Sequence, residues 1–329
     1  MDNITHTLTG LMLSRAGLNR LSPRAAAILM LAANAPDIDV VSAASGAVDY
    51  LHYHRGLTHS LFAIPFLAVL PVLVVRLFAR QKIDWRGAYI VSLAGVASHI
   101  ALDWTNMYGV RLLSPFSDRW FNADITAVVD VWLWVALFVG LVGPFLSRLV
   151  SSEIGARPGS GSGMAVFVLC LCCCYSAGRY VLHERAVAVL DSRLYEGQAP
   201  ARVAAIPTPA NPFRWVGLVA GGGFFEVYPD LNLLAEFDPT AGRIFYQPES
   251  IPAIGRARST EAFRVFLNFS QWPLWQTTSV AEPENGSLVQ AMDLRFGSPP
   301  EPRFVASALL DGGLHVVKSG FEFGIHLRK

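Results

Sequence analysis

The sequence predicts a polytopic α-helical membrane bundle followed by an antiparallel β domain, either a sandwich or a partly open barrel. Three observations carry that expectation. Apolar residues make up 53% of the chain and charged residues only 16%, with a mean hydropathy of +0.39, which lies on the apolar side of ordinary soluble proteins. The apolar residues concentrate before His183, and the remainder is more polar and rich in Pro and Gly. That remainder also alternates apolar and polar residues in short runs. The expected domains are therefore 1–183, a membrane helical domain, and 184–329, a non-cytoplasmic β-rich soluble domain. A net charge of +1 with no basic stripe argues against nucleic acid as a partner.

A helix needs about 20 residues to cross the hydrocarbon core. The segments 61–78, 88–102, 127–149 and 164–182 are the four best candidates. Two apolar stretches, 7–18 and 25–35, are short for a span and read as a helical hairpin packed among the others or re-entrant. A cleaved signal peptide is the rival reading of the start. Asp2 and His6 stand where its basic region would be, and no small-residue cleavage site follows, so that reading is set aside.

Loop charges give the orientation. One set of loops holds nine cations: Arg15, Arg20, Arg24, Arg76, Arg80, Lys82, Arg86, Arg148 and Arg157. The other set holds three, Arg55, Arg111 and Arg119. With the nine in the cytoplasm, the amino terminus, the loops 37–58 and 104–126 and the C-terminal domain face the periplasm or cell exterior of a bacterial inner membrane.

That topology delivers His6, Asp37, Asp39, His54, His59, His99, Asp103 and Asp124 to one level of the membrane from separate segments. A lone histidine in a membrane helix is ordinarily a helix–helix hydrogen-bonding group. Asp37 and Asp39 follow Pro36, where turn chemistry is the plain explanation. Four His and four Asp together are costly to desolvate unless they pair or hold a cation. His99 and Asp103 share a helix face at i and i+4, and His54 and His59 bracket a glycine turn. All eight are candidate metal ligands.

Imidazole mixed with carboxylate, without thiolate, suits zinc first, with manganese or iron as alternatives. The ligand count allows one or two ions. Such an ion lowers the pKa of water and polarises a carbonyl or phosphoryl oxygen. Asp39 is the candidate general base as well as a ligand, and Arg55 a candidate grip on an anionic substrate. Lying at the level of the head groups, the site points to hydrolysis of an ester or phosphoester of a lipid or lipid-linked substrate, with membrane lipids as neighbours. The alternative is a non-catalytic metal-binding or transport protein. A transport path needs polar groups continuing to the cytoplasmic side, for which only Asn34 and Ser92 speak. Composition carries no signal for the oligomeric state.

The blocks MDNITHTLTG (1–10), APDID (35–39), HRGLTHS (54–60), SHIALD (98–103) and LSPFS (113–117) resemble, in the same order, those of the YdjM-like (DUF457) family of inner-membrane proteins. NPFRW (211–215) is similar to that family's Asn-Pro-x-x-Trp block. The resemblance implies an inner-membrane protein with a metal-dependent hydrolase site on the His and Asp residues of these blocks. ADIT (123–126) departs from the aromatic-rich Asp block of relatives, so Asp124 has the weakest claim as a ligand.

Beyond Arg185 the alternating runs 224–228, 243–246, 263–269, 288–296 and 313–317 read as strands separated by turns. Cys170, Cys172, Cys173 and Cys174 lack metal-ribbon spacing and read as packing residues. Gly221, Gly222 and Gly223 read as a turn or bulge rather than a phosphate loop, since no Lys follows. Asp130, His183 and His315 read as structural or surface residues.

Overall fold

The computed structural model describes residues 1–78, 84–153, 161–249 and 251–324. Arg80, Lys82 and Arg157 of the loop-charge count lie outside the described residues. The chain forms two compact units: Met1–Asp39, Arg55–His183 and Pro207–Pro212 make one, and Val40–His54, Glu184–Ile206 and Phe213–Lys329 the other.

The first helix, α1 (Asn3–Arg15), starts where the Asp2 carboxylate accepts from the backbone N–H of Ile4 and Thr5. It packs on α2 (Ala25–Ala32) with the backbones nearly touching, because a Cβ at Gly10 would lie 2.7 Å from the Leu29 carbonyl oxygen. Helix α3 (Ala47–Tyr53) belongs to the second unit. The expected 61–78 span is broken into α4 (Ile64–Leu67) and α5 (Val69–Phe78). Helix α6 (Trp85–Thr105) is longer than the expected 88–102, because Asp84 caps its start and the helix continues until Asn106 turns extended. A Cβ at Gly95 would meet the Ala32 Cβ at 2.6 Å, so α6 also lies hard against α2. Ile28, Leu29, Val72, Val75 and Val91 fill the space between these helices.

Helix α7 (Val131–Glu153) begins later than the expected 127, since Asp130 caps it through the N–H of Trp132 and Leu133. Helix α8 is Ser162–Asp191. Within the described residues, Val131–Val150 and Ser162–Asp191 are long and apolar enough to cross a membrane, and up to four spans result if two bent helix pairs each count as one. Helix α6 has the length but carries Ser92, Ser98, His99 and Asp103 and is not among them. Large apolar side chains such as Val135, Phe145, Leu146, Phe167 and Val181 are exposed along α7 and α8.

The second unit holds two antiparallel four-stranded sheets in simple sequential order. The first is β1 (Arg202–Pro207), β2 (Arg214–Ala220), β3 (Phe224–Asn232) and β4 (Arg243–Tyr246). Residues 221–223 are the turn between β2 and β3. Two helices follow, α9 (Pro252–Arg258) and α10 (Glu261–Phe269), and then β5 (Pro273–Val280), β6 (Gly286–Asp293), β7 (Val305–Leu310) and β8 (Val316–Glu322).

The expected strand 263–269 is thus corrected to a helix. Its buried residues Ala262, Phe263, Phe266 and Phe269 recur at helical spacing, and the Thr260 hydroxyl caps it by accepting from Phe263 N–H. Two boundaries also move. β6 stops at Asp293 and gives way to a single tight turn, Leu294–Phe296. The start of the expected strand 313–317 is a turn held by Asp311, which accepts from Gly313 and His315 N–H.

Candidate metal centre

Two short elements converge with one long helix. The chain leaves α2 through Ala33 and enters a 3₁₀ stretch at Pro36, which presents Asp37 and Asp39. A 3₁₀ turn, Leu57–His59, presents His59. Helix α6 presents His99 and Asp103 one turn apart. His59, His99 and Asp103 are fully buried, and the Asp37 side chain retains 16% exposure.

The contacts at Nδ1 point to that nitrogen as the protonated one in each ring. His99 Nδ1 lies 2.7 Å from the Ala33 carbonyl oxygen, which can only accept, so Nδ1 is the protonated nitrogen. His59 Nδ1 lies 3.0 Å from the Thr58 hydroxyl and 3.2 Å from Asp39 Oδ2; that hydroxyl gives its own proton to Asp39 Oδ2 at 2.6 Å and so accepts from Nδ1. With Nδ1 engaged in each ring, the two Nε2 atoms turn inward and face each other at 3.1 Å. Asp37 Oδ1 lies 3.4 Å from His59 Nε2 and 3.5 Å from His99 Nε2. Asp103 Oδ2 lies 3.4 Å from both, and this buried oxygen accepts no hydrogen bond.

Four atoms able to accept thus face one point, an arrangement that repels itself unless a proton or a cation sits among them. The spacing can be tested against metal chemistry. Four ligands at about 2.0–2.1 Å from zinc in a tetrahedron stand about 3.3–3.4 Å from one another. The separations just given, 3.1 to 3.5 Å, match those edges. The ligand atoms of Asp37, His59, His99 and Asp103 all lie within 4.8 Å of one another. The residues present fit a divalent ion.

Asp103 divides its two oxygens. While Oδ2 faces the other ligand atoms, Oδ1 is held by Arg55 Nη2 at 3.1 Å, by the Asn106 side-chain amide at 3.3 Å and by the Met1 amine. His6 Nε2 lies 3.3 Å from the same oxygen, and its ring stacks on His99 with centroids 3.8 Å apart.

The remaining candidates fall around this core. Asp39 is the carboxylate behind His59, and it also accepts from the Arg55 backbone N–H. Arg55 places its terminal nitrogens on Asp103 and Asn106 and its guanidinium over the Tyr108 ring, 4.7 Å from the centroid. His54 lies in the second unit, buried at the end of α3 with its ring stacked on Tyr50. Asp124 sits in a left-handed turn (φ 52°) and accepts from the Asn122 amide at 2.7 Å; it is not one of the four converging residues. Sequence reasoning passed over Thr58, Asn106, Tyr108 and the Ala33 carbonyl. Asn106 carries a faint signal: three residues beyond Asp103, it is an amide at a helix end.

Comparison with known proteins places this geometry in a family. The family described as YdjM inner membrane protein matches residues 1–186, which include every converging ligand. The chain belongs to the YdjM inner-membrane family. Residues 252–326, which run from α9 through β8, match the YfhP C-terminal alpha/beta plait domain. YfhP of Bacillus subtilis is 29% identical over 180 residues, covering 46% of this chain and 54% of YfhP. The chain therefore matches about half the length of that relative. No solved structure matches. The YdjM match and the two long apolar helices together associate the protein with a membrane.

Proposed function

We propose that this YdjM-family protein is a multi-pass inner-membrane metal-dependent hydrolase acting on an ester or phosphoester of a lipid or lipid-linked substrate. The observation that carries the proposal is the set of two inward-facing Nε2 atoms and one Asp103 oxygen without a hydrogen-bond donor, all facing a common point with Asp37. Asp37, His59, His99 and Asp103 hold the ion, zinc by the edge lengths and manganese or iron by the same donor set. When bound, the ion supplies Lewis acidity, acidifying water and polarising a carbonyl or phosphoryl oxygen.

The chain's own residues do the rest. Asp39 and the Ala33 carbonyl keep the proton of each imidazole on Nδ1, which orients the rings and raises their basicity as ligands. Asp37, the most exposed of the four, faces the side from which water and substrate arrive, and Asp39 is the nearest further carboxylate to accept a proton. His6 covers the opposite face of His99. The nine-to-three distribution of loop cations supports a topology with the site and the β-rich unit on the outer side of the inner membrane, where lipid head groups lie.

A second reading has its own support. Four protein ligands fill a tetrahedral zinc ion, as in structural sites, whereas catalytic sites keep a position open. That favours a non-catalytic metal-binding protein unless coordination expands beyond four.

The test is elemental analysis of detergent-purified wild type beside His59→Ala and Asp103→Ala, with folding checked for all three. Near-stoichiometric metal in wild type alone supports the centre. Turnover of lipid phosphoesters or esters by the loaded wild type then separates hydrolase from metal-binding protein. Metal-free wild type after reconstitution with zinc, manganese and iron overturns both readings.

A further inference from the structure

Asp103 is the hinge of the centre, and its orientation is set from behind. A carboxylate that offers one oxygen to an ion must have its side-chain rotation fixed, since turning about the terminal bond would swap or misdirect the oxygens. Asn106 does this with both ends of its amide. Its Nδ2 donates to Asp103 Oδ1 at 3.3 Å, while its Oδ1 accepts from Arg55 Nη1 at 3.1 Å and from the backbone N–H of Tyr108 at 2.8 Å. Arg55 closes the triangle through Nη2 on Asp103 Oδ1 at 3.1 Å.

The clamp is itself held rigidly. Asn106 is fully buried and Arg55 is 4% exposed. Arg55 takes a left-handed backbone (φ 56°), and its main chain is tied on both sides: its N–H to Asp39 and its carbonyl to Arg111 N–H. A non-glycine residue holds such a conformation only when its surroundings over-determine it.

We propose that Asn106 and Arg55 are positioning residues that act through Asp103: the amide and the guanidinium together lock Oδ1 so that Oδ2 faces the ion. This rests on the metal reading above and changes the part assigned to Arg55, which serves the ligand rather than a substrate anion. An amide is needed at 106 because the position must donate to Asp103 and accept from Arg55 at once. An Arg is needed at 55 because the two ends of a planar fork must satisfy Asp103 and Asn106 together, which the single point of a lysine ammonium cannot do.

The experiment is a competition titration of zinc, and the visible spectrum of cobalt bound in its place, on detergent-purified full-length protein. Wild type, Asn106→Asp, Asn106→Gln, Arg55→Lys and Arg55→Met are compared. Asn106→Asp, which keeps the shape but replaces the donor by a carboxylate oxygen, is expected to weaken zinc about 10–100-fold and to shift the cobalt bands. Arg55→Met is expected to do the same. Arg55→Lys, which keeps charge without the fork, restores part of the affinity while the bands stay shifted. Asn106→Gln, amide retained but displaced, falls between wild type and Asn106→Asp. If wild type binds ion and Asn106→Asp and Arg55→Met match it in affinity and spectrum, the clamp is overturned and the metal centre stands. If wild type takes up neither zinc nor cobalt, the metal reading is overturned and the clamp with it.

Discussion

Asp103 and Asp293 are both completely buried carboxylates beside an arginine, one in each compact unit, yet they are solvated in opposite ways. Asp293 is closed. Arg295 donates to it through Nε at 3.1 and 3.0 Å, through Nη2 at 2.7 Å and through its backbone N–H at 3.1 Å, and Gln271 N–H adds another bond at 3.2 Å. Both of its oxygens are served, and the arginine passes its remaining bond to the Phe269 carbonyl. Asp103 receives its donors on Oδ1 alone and turns Oδ2 toward two imidazole Nε2 atoms. Buried polar groups are ordinarily paired, so a self-sufficient network such as that of Asp293 reads as structure. A half-served carboxylate among other acceptors reads as a candidate ligand.

The sharpest way to break that contrast is to neutralise each carboxylate. Asp103→Asn should abolish ion uptake while wild type approaches one equivalent or more by elemental analysis. Asp293→Asn should leave uptake intact and destabilise the second unit by about 3–5 kcal/mol, the usual cost of stranding one partner of a buried pair, read by denaturant unfolding. Uptake that survives Asp103→Asn removes the distinction. Next in size is the effect of the ion on stability. Zinc at about 100 times its Kd should raise the stability of wild type by about 2.7 kcal/mol, lost on chelation and absent in His99→Ala, as read by thermal unfolding with and without chelator. Asp39→Asn should weaken ion binding by about 10–100-fold without abolishing it, since it supports His59 from behind; competition with a metal indicator measures this. At the small end, Asp124→Ala should leave ion affinity unchanged in the same titration, because the structure pairs Asp124 with Asn122.

The legibility of the chain followed how local each cause is. The ligand residues could be picked out because charge in apolar sequence is conspicuous, and because His99 and Asp103 announce their shared face through i, i+4 spacing. What each does could not. Whether Asp39 ligates an ion or backs an imidazole depends on Ångström-scale placement across a separation of 20 residues from His59, which no local pattern encodes. Asn106 gave only a faint signal for the same reason, since amides at helix ends ordinarily act as caps. Among the helices, α7 and α8 were read from continuous apolar runs, whereas the break between α4 and α5 falls where Pro71 has no N–H to give to the Leu67 carbonyl, and the late start of α7 comes from capping by Asp130. The misread of 263–269 is a different failure: a phenylalanine-rich run has strand propensity, and only the spacing of Phe263, Phe266 and Phe269 gives the helix away.

Among the described residues, the ligands and the side chains named as bracing them, from His6 to Tyr108, precede α7 and α8 in the chain. Synthesis runs in that same direction. At about 5–20 residues per second, the stretch from Asn106 to Asp191 takes roughly 4–17 s to emerge, ample time for the earlier segments to meet. The centre can therefore be loaded while the later helices and both sheets are still being made. Ion scarcity would then register first as a defect of biogenesis, in chains whose facing acceptors meet without an ion between them.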